Sequence, residues 1–280
     1  MKALLDTCAD TCSRYLHALI EALKISFADA AWHVTDLHHM KHDPKSLISR
    51  EYLAERAKLF NPDQAANNFD AGSPAHNRSD TVYFAVTDPE GNGCSFINSV
   101  YDRFGSAIVP AGTGFALQNR GANFRLHKDH PNAFAPRKRP YHTIIPAMIT
   151  NAHDQSLHTV YGVMGGFMQP QGHVQVLLNM LTFNLNPQAA LDAPRICIGP
   201  GMPSKLSKVV ENIVSLEEGI SEQVVEELKQ MGHHVQVVKG HGRSLFGRGQ
   251  VIRVHHDEIE GTRVYSGGSD PRGDGASMPL

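Results

Sequence analysis

The apolar residues of the first sixty positions follow two helical patterns. Between residues 15 and 32 they recur at steps of three and four, which predicts an amphipathic helix. The residues that set this period are Leu16, Leu19, Ile20, Leu23 and Phe27. A second helix is predicted from about Ser49 to Phe60, with Leu53 and Ala57 on the face of Phe60.

The pattern changes sharply at Thr81. Residues 61–80 have no periodicity and are rich in Asn, Asp, Gly and Pro, which is typical of an exposed linker. From Thr81 to Thr87 the chain alternates with period two, which predicts a strand. A turn over residues 88–93 leads into a second strand-like run, Cys94 to Val100, so a β-hairpin is expected.

The second half of the chain mixes short strands and helices. Strands are predicted near residues 159–163, 235–238, 250–254 and 262–265, and helices near 174–181, after Asn186 and after Ser221. Asn186 is followed by Pro187, a favourable first-turn residue, and Gly232 ends the helix that Ser221 begins.

Composition excludes several classes of protein. The 280 residues include 26 Lys and Arg and 28 Asp and Glu, for a net charge of −2, so a strongly basic nucleic-acid binder is not expected. The basic stretch 136–140 is interpreted as a solvated loop. No apolar run is long enough to predict a membrane span. The first residues lack the apolar core of a secretory signal, which makes the cytoplasm the default expectation.

No metal or cofactor is expected. The chain has 17 histidines, but it has no HExxH motif, and no acidic residue at helical spacing completes the cluster of His38, His39 and His42. The four cysteines form neither a CxxC pair nor a zinc pattern.

Thr81 is the candidate for chemistry. A threonine hydroxyl is a weak nucleophile, but cleavage of the chain before it would free an α-amine that acts as its base. The irregular stretch before Thr81 suits such a cleavage, and a strand would hold the nucleophile rigidly. On these residues alone, β-propensity remains the more common reason for a threonine at a strand start.

Motifs spread along the chain change that balance, because they resemble those of the γ-glutamyltransferases (glutathione hydrolases) in order and sequence. They are Asp80–Asp88 with Gly91-Asn92, Phe104–Ser106, Leu117–Phe124, Lys138–Pro140, Gly162–Gly166, Asp192–Arg195 and Ser269–Arg272. The helix from Tyr15 to Lys24 is similar to the end of the family's large subunit. The resemblance covers roughly residues 13 to 275.

The resemblance implies an α+β fold, the four-layer αββα sandwich of N-terminal-nucleophile hydrolases. It implies self-cleavage between Asp80 and Thr81, so that residues 1–80 are the end of a large subunit and 81–280 a small catalytic subunit. Thr81 would be the nucleophile, and Ser99 stands where the family has a supporting threonine. Gly165 and Gly166 match the paired glycines whose N–H groups form the oxyanion hole.

The departures concern substrate binding. The transpeptidases have Asn at Tyr101, Gln at Arg120, an acidic residue at Asn123, and a Ser pair at His142 and Thr143. Neutral Asn123 removes the charge that pairs with a γ-glutamyl amine. These segments look more like the branch of cephalosporin-acylase-like and oxamate-amidohydrolase-like members. The acyl group is therefore left open between γ-glutamyl and a glutaryl or oxalyl type.

The leading hypothesis is an autoprocessing amidohydrolase or acyltransferase that cleaves small γ-glutamyl-type amides through an acyl-enzyme on Thr81. An amidase for another acyl group and a non-catalytic remnant are the alternatives. The family's large subunit is much longer than residues 1–80, so a further large-subunit segment is expected as a partner. Neither nucleic acid nor a membrane is expected as one.

Overall fold

The computed structural model describes residues 11–66, 81–199 and 213–279. The helices are α1 Ser13–His33, α2 Arg50–Ala57, α3 Met168–Leu181, α4 Pro187–Asp192 and α5 Glu222–Gln230. The strands are β1 Thr81–Thr87, β2 Gly93–Ser99, β3 Ala147–Thr150, β4 Leu157–Met164, β5 Ile196–Gly199, β6 Ile213–Glu217, β7 Val235–Val238, β8 Arg248–Asp257 and β9 Thr262–Ser269. Short 3₁₀ turns cover Leu37–His39, Pro44–Ile48, Arg120–Asn123 and Gly240–Phe246. No helix in the described ranges is long and apolar enough to cross a membrane.

Every helix and strand predicted from the pattern is confirmed, with shifted ends. Ser221 caps α5 by accepting a hydrogen bond from the Val224 amide, and Asn186 caps α4 in the same way. Strands β3, β5 and β6 were missed. Nearly every residue of β5 and β6 is buried, so neither shows the alternation that reveals a half-exposed strand. Strand β3 has only four residues, too few for a period to stand out.

Two antiparallel sheets pack face to face. An antiparallel sheet of order β3-β4-β8-β9 carries the hairpin β1-β2 on one face. The Tyr83 ring of β1 lies on Gly162 of β4, whereas the next residue, Val163, contacts Gly172 of α3. Because successive residues of a strand face opposite sides, α3 lies on the other face of the sheet. The layers are therefore helix, sheet and sheet, which agrees with the expected α+β class.

The outer face of the hairpin is apolar and uncovered by the residues that the structure describes. Thr81, Tyr83 and Ile97 are buried against the larger sheet. The side chains on the opposite face are exposed, and Phe84 stacks on Phe96 with a ring-centroid distance of 4.9 Å. The exposed apolar side chains are Val82, Phe84, Val86 and Phe96. In the described residues this face lacks the fourth layer of the expected sandwich.

A second core joins α1 to the later part of the chain. Sheet β5-β6-β7 pairs β6 antiparallel with β5 and parallel with β7. The buried side chains of this core come from α1, β5, β6 and α5. They include Leu16, Leu19, Ile20, Ile196, Ile198, Val214, Leu216 and Leu228. Residues on the two sides of the expected cleavage point therefore share one hydrophobic core.

A buried polar network ties residues 61–66 to this core. The His17 Nδ1 and His233 Nε2 atoms are 2.8 Å apart, and His17 Nε2 lies 2.8 Å from the Asn61 carbonyl oxygen. Since only an N–H can bond that carbonyl, His17 carries its proton on Nε2 and His233 donates from Nε2. Glu21 accepts the amide of Ala66 at 3.0 Å and pairs with Lys24 at 2.8 Å.

The described part of the expected linker, residues 61–66, is only partly exposed. Ala65 is buried, and its amide donates to the Met231 carbonyl at 2.7 Å, which contradicts the expectation of an exposed linker at that residue. The rest of the expected linker, residues 67–80, lies outside the described residues and includes Asp80.

We predict that His233 makes stability pH-dependent. Burial, followed by the charges of Lys24 and neighbouring histidines, lowers the pKa of His233 from 6.5 to about 3. Between these values the unfolded chain binds a proton that the folded chain does not, so the free energy of unfolding falls as pH falls from 6.5 toward 3. The slope is at most about 1.4 kcal/mol per pH unit.

Urea unfolding between pH 7.5 and 5 measures this slope. His233→Asn should flatten it, whereas His256→Asn, at an exposed position, should leave it unchanged. Equal slopes in the two variants would contradict the prediction.

Candidate active site

The packing of β1 on β4 sets the position of Thr81. Tyr83 lies on Gly162, while Gly93, the cross-strand partner of Thr87, lies against Val160 and Leu157. Residues of lower number in β1 therefore face residues of higher number in β4. This direction brings Thr81, at the start of β1, toward the end of β4, where Gly165 and Gly166 follow.

Thr81 is paired with Ser99. The two residues are cross-strand neighbours at the ends of β1 and β2, and Thr81 is 2% exposed. The Thr81 hydroxyl donates to the Ser99 Oγ atom across 3.2 Å. The same Ser99 oxygen accepts the Tyr101 amide at 2.9 Å. Ser99 therefore fixes the orientation of the Thr81 hydroxyl.

Gly165 and Gly166 form the turn between β4 and α3. Their φ angles are +137° and +59°, in the region that a side chain disfavours. Their carbonyls accept the amides of Met168 and Gln169. Neither glycine amide donates to any residue that the structure describes. Two adjacent N–H groups are thus available at the end of β4 to bind a developing oxyanion.

Arg120 brings positive charge next to Ser99. Its Nε donates to the Thr143 hydroxyl at 2.8 Å and its Nη2 to the Ser99 carbonyl at 3.0 Å. Burial lowers the pKa of Arg120. Among the described residues, no carboxylate forms an ion pair with it. A guanidinium has five N–H donors, so capacity remains for a bound anion.

Tyr101 and Asn123 are bound to each other. The Tyr101 hydroxyl donates to the Asn123 Oδ1 atom at 2.8 Å, and Asn123 Nδ2 donates to the Tyr141 carbonyl at 3.4 Å. Burial raises the pKa of Tyr101. Tyr101 has a φ of +80°, an unusual value for a non-glycine residue that is often found at functional sites. The amide oxygen and the amide nitrogen of Asn123 are thus both hydrogen-bonded, and Asn123 links Tyr101 to the backbone of Tyr141.

A buried threonine at a strand start, a serine hydrogen-bonded to it and two adjacent glycines at the end of β4 make up the candidate site. The gamma-glutamyltranspeptidase model matches residues 3–280. The chain belongs to this family.

Individual relatives agree with the family assignment. A glutathione hydrolase-like proenzyme of Bacillus subtilis is 35% identical over 95% of the chain and 47% of its own length. An oxamate amidohydrolase proenzyme of Klebsiella pneumoniae is 31% identical over 94% of the chain and 46% of its own length. A solved cephalosporin acylase from Bacillus halodurans is 40% identical, has a TM-score of 0.80 and covers 96% of this chain and 45% of that chain. The chain therefore spans about half the length of the relatives it matches.

The structure joins most of the residues predicted for this γ-glutamyltranspeptidase-family site. Six of these residues form one group connected by hydrogen bonds around the ends of β1 and β2. Its members are Thr81, Ser99, Tyr101, Arg120, Asn123 and Thr143. His142 has an exposed side chain and does not enter this group.

Two positioning contacts, of Tyr83 with Gly162 and of Tyr141 with Phe167, were missed by sequence reasoning. Tyr83 is held by a 2.9 Å hydrogen bond between its hydroxyl and Ser95, and it sets β1 on Gly162. Tyr141 stacks on Phe167, directly after the glycine pair, with ring centroids 6.3 Å apart. Tyr83 and Gly162 stood in the family motifs, so a signal existed. Nothing in the sequence pointed to the contact of Tyr141 with Phe167.

One cluster in the described part of the chain has the composition of a metal site. Ligand atoms of His17, Glu21 and His233 lie within 4.8 Å of one another. These atoms already bond each other or protein groups, and the Lys24 ammonium lies 2.8 Å from Glu21 and 3.5 Å from His233. A metal cation would be repelled by that ammonium. We therefore interpret His17, Glu21 and His233 as the structural network described above and not as a metal site.

The contact between β1 and β4 predicts the effect of Gly162→Ala. The added Cβ would lie 2.5 Å from the Tyr83 ring, so β1 must move or the ring must leave its hydrogen bond. Overpacking of this kind typically destabilises by about 1–3 kcal/mol. Gly121→Ala is the control, because its Cβ would meet nothing within 4 Å. Urea unfolding of both variants is the measurement, and equal midpoints would refute the contact.

Proposed function

We propose that this chain carries the catalytic part of an autoprocessing amidohydrolase or acyltransferase that uses Thr81 as its N-terminal nucleophile. The observation that carries the proposal is the buried Thr81 hydroxyl, which donates to Ser99 at the start of a strand directed toward the end of β4. Family membership over residues 3–280 supports it.

The first step is cleavage between Asp80 and Thr81, which frees the α-amine of Thr81. That amine, with a pKa near 8, takes the hydroxyl proton as the oxygen attacks the amide carbonyl of the substrate. The carbonyl oxygen becomes an oxyanion, and the N–H groups of Gly165 and Gly166 donate to it. The proton passes to the leaving amine. Water or a second amine then releases the acyl group from Thr81 by the same path.

Thr81→Ala tests the nucleophile. Without the hydroxyl, neither the peptide bond before residue 81 nor a substrate amide can be attacked, so both self-cleavage and hydrolysis should be lost. Mass spectrometry of the intact chain and an anilide assay are the measurements. Thr87→Ala, at the other end of β1, is the control and should be cleaved normally. A Thr81→Ala protein that is cleaved normally would refute the role of Thr81.

We further propose that the acyl group bears a carboxylate and lacks an α-amine, as in glutaryl- or oxalyl-type amides. Arg120 supports the first part, because its charge has no ion-pair partner among the described residues and lies against Ser99. Asn123 supports the second part, because it is neutral and its amide oxygen accepts the Tyr101 hydroxyl. A γ-glutamyl group, the competing substrate, needs a partner for its ammonium that Asn123 does not offer.

Three anilides separate these substrates: glutaryl, γ-glutamyl and valeryl, which has the glutaryl chain length without its carboxylate. We expect the highest kcat/KM for the glutaryl compound. Arg120→Gln should lower that value by about ten-fold or more, the range of a hydrogen bond to a charged group, with a smaller effect on the valeryl compound. A higher kcat/KM for the γ-glutamyl compound would contradict the proposed acyl group, while leaving the role of Thr81 intact.

We also propose that the uncovered hairpin face binds the part of the relatives' length that this chain does not span. The exposed Val82, Phe84, Val86 and Phe96 form an apolar surface on the hairpin whose first strand begins with Thr81. Such a surface is typical of a buried interface. The assays above should therefore be carried out on a protein in which this face is covered, either by the same polypeptide or by a second one. A protein that neither cleaves itself nor hydrolyses any anilide with the face covered would be a non-catalytic remnant.

A further inference from the structure

We propose that Gly247, held in place by the buried ion pair of Arg195 and Asp270, positions the Gly165–Gly166 turn. The inference rests on the proposed oxyanion role of these two glycines. It assigns a role to three residues that lie outside the group formed around Thr81.

The ion pair holds the chain on both sides of Gly247. Arg195 Nη2 and Asp270 Oδ2 are 2.7 Å apart, and both side chains are almost completely buried. Arg195 Nη1 donates to the carbonyl of Phe246 at 3.0 Å. The Gly249 amide donates to Asp270 Oδ2 at 2.8 Å. Gly247 lies between these two anchored residues, so its position depends on the pair.

Gly247 lies directly against the glycine turn. A Cβ placed on Gly165 would lie 3.0 Å from the Cα of Gly247. A Cβ placed on Gly247 would lie only 2.3 Å from the Met164 carbonyl oxygen and 2.9 Å from Val163. The Met164 carbonyl oxygen belongs to the backbone directly before Gly165. This oxygen therefore cannot move unless the Gly165–Gly166 turn moves with it. Gly247 therefore acts as a spacer behind the proposed oxyanion donors.

Further charges fix the orientation of the pair. Arg272 donates from Nη1 to Asp270 Oδ1 at 3.0 Å and forms a second ion pair with Glu217. Glu217 also accepts the backbone amide of Arg195 at 2.9 Å and the Nε of Arg243 at 2.7 Å. Buried ion pairs of this kind add little net stability against apolar replacements, but each partner is strongly constrained. Their effect here is to fix geometry.

The position of Gly247 affects the rate of the chemical step and not the binding of substrate. Oxyanion donors act only if they lie at hydrogen-bond distance from the oxygen in the transition state. A displacement of the turn by about 1 Å lowers the rate by about a hundred-fold, while substrate binding through Arg120 is unaffected. A change at Gly247 should therefore lower kcat and leave KM nearly unchanged.

Gly247→Ala tests this, and Gly261→Ala is a control. The two glycines have φ angles of +70° and +66°, so alanine meets a positive φ at both, and the ψ of −174° adds further strain at Gly247. A Cβ on Gly261 meets nothing within 4 Å, so only Gly247→Ala pushes on a neighbour. We expect Gly247→Ala to lower kcat for the glutaryl anilide at least ten-fold relative to Gly261→Ala, with KM within about three-fold.

A tetrahedral probe separates this role from general damage. The boron of 4-boronobutanoic acid bonds the Thr81 oxygen as the hydroxyl proton passes to the Thr81 α-amine. The resulting tetrahedral boronate places an oxygen on the oxyanion donors, whereas glutarate binds without that bond. Gly247→Ala should weaken boronate binding in step with kcat and leave glutarate binding unchanged. Unchanged kcat, or unchanged boronate affinity beside a lower kcat, would overturn the proposal.

Two further measurements keep the test decisive. If Gly247→Ala does not fold, the isosteric Asp270→Asn replaces it, with the exposed Asp154→Asn as control, and a normal kcat in Asp270→Asn overturns the proposal. If the wild type hydrolyses no amide, the proposed function fails separately. The amide NMR signals of Gly165 and Gly166 then decide the inference: they should shift in Gly247→Ala and not in Gly261→Ala.

Discussion

The contact of the Tyr83 ring with Gly162 is the constraint on which the site depends. It places the hairpin on the larger sheet and, together with the contact of Gly93 with Val160, sets the direction in which the two strands run past each other. Because Thr81 and Tyr83 share the buried face of β1, the same contact turns the Thr81 hydroxyl inward. The glycine turn follows the strand that carries Gly162, so the proposed nucleophile and the proposed oxyanion donors are positioned through one van der Waals surface.

Buried polar side chains hold the irregular segments that no sheet ladder can hold. The network of His17 and His233 fixes residues 61–66 through the Asn61 carbonyl and the Ala66 amide. The ion pair of Arg195 and Asp270 fixes the segment around Gly247 in the same manner. In both places a buried side chain bonds backbone groups of a distant segment. The two networks thus hold segments in place where backbone ladders alone do not.

Local pattern and family resemblance predicted different parts of this structure. Alternation and helical spacing located the hairpin at Thr81 and the helix of Leu16 and Ile20, since one face of each is buried. The fully buried β5 and β6 carry no such signal. The resemblance identified Thr81, Ser99 and the glycine pair, whereas the roles of Gly247 and Arg195 depend on contacts between distant segments. His17, Glu21 and His233 were missed as a group for the same reason, because His233 lies 216 residues from His17.

The shared core of α1 has a consequence for the mature protein. Leu16 and Ile20 pack with Ile196, Leu216 and Leu228, which lie on the other side of the proposed cleavage point. After cleavage these side chains belong to two polypeptides, so unfolding becomes a dissociation as well. The folded state of the cleaved protein is then subject to mass action, and its melting temperature rises with protein concentration, whereas that of the uncleaved chain does not. The proposed processing thus changes the molecularity of folding.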